Sequence, residues 1–138
     1  MSKIALLVGI CLIFVSCGKD PSGVPDVSFS FRVSIFGDPK YSGLSTSNGF
    51  VEVPGYGVAG LIIYRTPFDE LVAYDRCSTV NPEKECAVHV DATALTATDP
   101  CSGAIFLLLD GSAQKTPAKK PLKKYYVTES NGQISVSN

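Results

Sequence analysis

The run Gly60-Leu61-Ile62-Ile63-Tyr64-Arg65, followed by Thr66-Pro67-Phe68-Asp69-Glu70 and Leu71-Val72-Ala73-Tyr74-Asp75, reads as two strands and a turn. Its first part is apolar at successive positions, the pattern of a short strand buried on both faces. Thr66–Glu70 reverses the chain, and 71–75 returns as the hairpin partner. Working outward, Val27–Phe36 alternates almost strictly and sets Val27, Phe29, Phe31, Val33 and Ile35 on one face. Further strand-sized runs are Gly49–Val53, Cys86–Val90, Ala94–Thr98, Ala104–Leu109, Tyr125–Thr128 and Ile134–Val136. Asp110-Gly111 and Asn131-Gly132 are hairpin-turn pairs, because their residues tolerate positive φ. After the first 17 residues no stretch holds a 3.6-residue apolar period over three turns. The expectation is an all-β domain, an antiparallel sandwich or barrel of about eight to ten short strands.

The N-terminus has a different pattern. After Lys3, Ile4–Val15 is apolar apart from Gly9 and Cys11. That is too short for a transmembrane helix, which needs about 20 residues, and it suits a cleaved signal peptide over 1–16. Phe14-Val15-Ser16-Cys17-Gly18 resembles a bacterial lipobox, with Phe14 in place of the usual Leu. The resemblance implies cleavage before Cys17 and lipid on its thiol, hence a membrane anchor without a transmembrane helix. Gly18-Lys19-Asp20 is similar to the short Lys-acidic signals of some surface lipoproteins. The expected organisation is signal peptide 1–16, lipidated Cys17 with a flexible tether to residue 26, and a β domain over 27–138. The expected address is the envelope of a Gram-negative bacterium, anchored in the outer membrane on its periplasmic side or at the cell surface.

The 138 residues suit one domain. Lys+Arg 12 against Asp+Glu 13 leaves a net charge of −1, which speaks against a nucleic-acid partner. One His, His89, excludes His-pair metal sites. Of five Cys, Cys11 leaves with the signal and Cys17 takes lipid, so Cys77, Cys86 and Cys101 remain. Five Lys lie within 115–124 (115, 119, 120, 123 and 124). They read as a solvated loop, with an acidic partner or anionic headgroups as the alternative.

From Gly60 onward the chain resembles a Rieske domain, a small β fold in which two loops clasp a [2Fe–2S] cluster. The matching residues are Asp99-Pro100-Cys101-Ser102-Gly103-Ala104-Ile105-Phe106, Asp110-Gly111, Thr116-Pro117-Ala118-Lys119-Lys120-Pro121-Leu122-Lys123-Lys124-Tyr125-Tyr126-Val127, and the hairpin Gly132–Val136. They follow the family's Cys-Pro-x-His-Gly-x-x-Phe and its proline-leucine-tyrosine tail. In the first loop, Leu71–Asp75 followed by Cys77-Ser78-Thr79 stands in place of the strand and Cys-x-His. The resemblance covers about half the chain and implies a Rieske-like sandwich or barrel.

Such a cluster takes two Cys and two His. The corresponding positions here are Cys77 (or Ser78, one residue on), Thr79, Asp99 and Ser102, a degenerate set of mostly hard oxygen donors. The expectation is therefore no iron–sulfur cluster, no other cofactor and no metal. The resemblance also implies an accessory disulfide between the loops, with Cys86–Cys101 ranked ahead of 77–86 and 77–101.

Cys77, Cys86, His89 and Cys101 together make up a Cys₃His zinc set, but Cys86 and His89 lie three apart on an expected strand and so point to opposite faces. Asp99 and Ser102 lack a base or a second carboxylate, so no catalytic residue is expected and the chain is not read as an enzyme. Two functional readings result. The first is a non-catalytic envelope lipoprotein, an accessory or protein-interaction module that has lost its cluster. The alternative is an electron-transfer Rieske-type protein with an altered metal site.

Overall fold

The computed structural model describes residues 20–138. The expected signal peptide and Cys17 lie outside the described residues. Ten strands follow in chain order: β1 (Ser30–Ser34), β2 (Phe50–Val53), β3 (Leu61–Arg65), β4 (Leu71–Asp75), β5 (His89–Val90), β6 (Thr96–Thr98), β7 (Ile105–Leu107), β8 (Ala113–Lys115), β9 (Lys124–Ser130) and β10 (Gln133–Ser137). Six form an antiparallel sheet in the order β1-β10-β9-β4-β3-β2, and four form a smaller sheet, β5-β6-β7-β8. Among the described residues, no helix is long and apolar enough to cross a membrane.

The β3–β4 hairpin is the centre of the molecule. Leu61, Ile63 and Ala73 face a core shared with Phe31, Val51, Tyr125 and Ile134. Ile62, Tyr64, Val72 and Tyr74 face a second core with Val88, Ala97, Phe106 and Leu108. All five residues of β3 are buried, as its unbroken apolar run requires. Phe31 on one edge strand and Val51 on the other share the first core, so the large sheet curls around it.

Asn131 and Gly132, at φ 51° and 73°, turn β9 into β10. This is the primed-turn geometry expected of that pair. In the β3–β4 turn, the Thr66 hydroxyl accepts from the amides of Phe68 and Glu70, and Asp69 takes φ 63°.

Residues 20–26 are docked onto the domain, which departs from the flexible tether expected there. Ser22 and Val24 are buried, and the Lys123 ammonium, also buried, bonds Asp20 at 3.0 Å and Asp26 at 2.5 Å. The physical reason is the cost of an unpaired buried charge, which two carboxylates offset here. Lys123 thus leaves the solvated lysine loop in which the sequence placed it.

Candidate functional site at the loop tip

Three loops meet at the end of the small sheet. The first, 76–88, closes on itself: the Ser78 amide donates to Cys86 O at 2.8 Å and the Val88 amide to Arg76 O at 2.7 Å. Asn81 and Glu85, both left-handed, bracket the 3-10 turn Pro82–Lys84. The second, 99–104, is a tight turn in which the Gly103 amide donates to Asp99 O and the Asp99 amide to Ala104 O, each at 2.8 Å. The third, 116–122, is joined to the first by the Thr79 hydroxyl, which donates to Lys120 O at 2.8 Å.

Asp99 is the knot between the first two loops. Its fully buried carboxylate accepts from the Ser78 hydroxyl at 2.6 Å, the Ser102 hydroxyl at 2.5 Å and the Cys101 amide at 2.8 Å. Burial alone pushes this carboxyl up. The hydrogen bonds from Ser102, Ser78 and the neighbouring amides outweigh it and hold the group below 3.8. A disulfide, Cys86–Cys101, bridges the same loops with Cα atoms 6.4 Å apart. This is the pairing the resemblance ranked first.

Cys77 is buried, and its thiol donates to Ser78 O and Pro82 O at 3.6 and 3.5 Å, whereas the Ser78 hydroxyl donates to Asp99. Burial, then the negative charge of Asp75, Glu85, Asp99 and Glu83, pushes the thiol up to about 12. The first-loop residue facing Asp99 is therefore Ser78, which corrects the placement at Cys77 by one residue. Thr79 is committed to Lys120 O and does not join the knot. Val80, Asn81, Thr79, Ser102, Pro117, Lys119 and Lys120 line an open cavity of about 590 Å³ beside it.

His89 belongs to another cluster. Its Nδ1 lies 2.9 Å from the Arg76 guanidinium and 3.3 Å from Glu52. The Cys₃His set is thus not assembled. What the fold does bring together is Cys86, Asp99 and Cys101, whose donor atoms all lie within 4.8 Å of one another.

No known protein-family pattern matches the chain, and no curated protein matches it. Solved structures do. The plasma membrane Rieske protein PetC3 from Synechocystis PCC 6803 superposes with a TM-score of 0.58 at 21% identity, covering 77% of this chain and 97% of that one. The fold is Rieske-like. A chain from the complex of reduced oxygenase and oxidized ferredoxin in carbazole 1,9a-dioxygenase gives a TM-score of 0.52 at 19% identity, over 78% of this chain and 92% of its own. A ferredoxin of Sphingomonas yanoikuyae B1 gives 0.52 at 18% identity, over 80% of this chain and 99% of its own.

These Rieske-like neighbours overturn the expectation of a chain without a cofactor. A Rieske protein and ferredoxins share its fold, and they point to an iron–sulfur cofactor. The Synechocystis neighbour is described as a plasma membrane protein, which lends no support to an outer-membrane address.

The residues facing one another across the two loops do not supply the usual ligand set. A Rieske cluster takes two thiolates and two imidazoles, whereas the groups that face one another here are the Ser78 and Ser102 hydroxyls, both bonded to the Asp99 carboxylate. The other sulfurs at this tip, those of Cys86 and Cys101, are joined to each other in the disulfide. The sequence offered Ser78 only as the alternative to Cys77, and it did not reveal the three-residue donor group. An alternation reading does not reveal which side of a loop a residue faces.

Proposed function

We propose that the protein is an electron-transfer-type Rieske-like domain whose redox centre is altered and built at the loop tip. The observation that carries this reading is the convergence of Cys86, Asp99 and Cys101 within 4.8 Å, on loops of a fold shared with a Rieske protein and ferredoxins. Opening the disulfide takes two electrons and two protons and leaves two thiols, and reoxidation returns them. The exposure of Cys101 gives a donor access to the bond. Lys119 and Lys120 beside the tip cavity suit an acidic face on the partner.

Cys17 is proposed to carry the lipid anchor, which the mass of the mature N-terminal peptide tests. An unmodified Cys17 in protein taken from membranes would refute that part.

The test of the main reading is a spectro-electrochemical titration of the full chain, made with iron–sulfur assembly machinery present, alongside iron and acid-labile sulfide analysis. A reversible midpoint that disappears in Cys86→Ser supports the reading. No reversible change within the stability window of the folded protein sinks it.

A further inference from the structure

We infer that reduction of Cys86–Cys101 turns the tip into a site for one divalent cation of the zinc or ferrous class, held by the two sulfurs and Asp99. Metal occupancy is then gated by the redox state of the pair. The inference rests on the reading above, that the pair opens and closes reversibly.

The site is largely built before any metal arrives. Around one tetrahedral ion, sulfur at about 2.3 Å and carboxylate oxygen at about 2.0–2.2 Å leave donors roughly 3.5–3.8 Å apart. The donor atoms of Cys86, Asp99 and Cys101 lie within 4.8 Å of one another, and once reduction breaks the bond between the two sulfurs, their separation from about 2 Å to about 3.8 Å completes the geometry. Asp99 is held for the task. Both of its oxygens are engaged, Oδ2 by Ser78 and Ser102 and Oδ1 by the Cys101 amide, the outer-shell support that orients a carboxylate ligand. Oδ1, with a single hydrogen bond, keeps a lone pair free for a metal.

Two thiolates and one carboxylate suit zinc or ferrous iron over calcium or magnesium, which prefer all-oxygen sets. Three protein donors leave a fourth position for water. In the oxidised state neither sulfur carries a charge, so one carboxylate is left to bind alone.

A dithiol reductant passes two electrons and two protons to the disulfide and becomes a disulfide itself. The two protein thiols then release two protons as they take up the cation.

The experiment titrates Co²⁺, as the spectroscopic stand-in for zinc, into the full chain before and after anaerobic reduction with a phosphine. One Co²⁺ per reduced chain is expected, with sulfur-to-cobalt absorption in the near ultraviolet and at least 100-fold weaker uptake by the oxidised chain. Asp99→Asn is expected to weaken binding at least tenfold while keeping the sulfur bands. Should that variant not fold, Asp99→Ser, which also removes the carboxylate, provides the same comparison. Cys77→Ser leaves binding unchanged.

Reversible opening of the pair without cobalt uptake, or equal uptake in both states, overturns this inference and leaves the electron-transfer reading standing. A pair that opens only when the protein unfolds overturns both.

Discussion

Asp99 and Cys77 show how a residue's surroundings set its chemistry. The Asp99 pKa is depressed in the folded state, so its contribution to stability is full above the unfolded value of 3.8 and is lost as pH falls through the folded value. Asp99→Asn is expected to cost about 2 kcal/mol near neutrality, because two serine hydroxyls lose a charged acceptor. The gap between the stability curves of the two proteins, measured by urea unfolding, should then begin to close as pH falls below 3.8. A gap that stays constant down to pH 3 would assign the cost to packing alone. Cys77 has the opposite bias. Its thiol is buried and pushed up to about 12, so iodoacetamide at neutral pH should leave it unmodified in the folded chain and alkylate it fully in urea. Peptide mass mapping reads both states. The roles of these two residues were only partly legible in sequence. The departure of Asp99 from a thiolate was plain, whereas the one-residue offset between Cys77 and Ser78 depends on which side of a loop each faces.

Among elements, the ones with strong local signals were read correctly. β3 and β4 declare themselves by apolar runs, and the β9–β10 turn by Asn131-Gly132. β8, Ala113–Lys115, went unread because two of its three residues are exposed polar ones at the end of the small sheet. The 3-10 turn Pro39–Ser45 also lacked a period to detect, although it buries Tyr41 and Leu44.

The docked segment 20–26 was missed for a different reason. Its partner, Lys123, is distant in sequence and of a residue type that is seldom buried. Lys123→Met should release this segment. The cost is about 1–2 kcal/mol, below that of a fully buried pair, because Asp20 and Asp26 keep partial solvent access. Hydrogen exchange would reveal it as loss of protection at the Ser22, Gly23 and Val24 amides, which are bonded in the intact segment. Unchanged protection there would mean that Ser22 and Val24 hold the segment by packing.

For the whole molecule, the consequence of the central hairpin is that adjacent residues of one strand serve different halves. Ile63 faces the core enclosed by the large sheet, and Ile62 faces the core beneath the loop tip. Both are fully buried, so truncation of either to Ala should cost about 2–5 kcal/mol through lost transfer energy and the cavity left behind. Their local effects should nevertheless differ. Ile62 packs in the cluster with Val88, Ala97, Ala104 and Phe106, the side chains that carry the loops holding Ser78, Asp99 and Cys101. Ile62→Ala is therefore expected to speed exchange at the Ser78 and Cys101 amides through sub-global opening of the small sheet. Ile63→Ala, at equal loss of global stability, should leave those amides exchanging only by complete unfolding. Native-state hydrogen exchange across a low-denaturant series separates the two routes, since only sub-global opening is nearly independent of denaturant. Identical behaviour of the two variants would mean that the hairpin transmits strain to both cores as one body, and the tip could not then open while the large sheet stays closed.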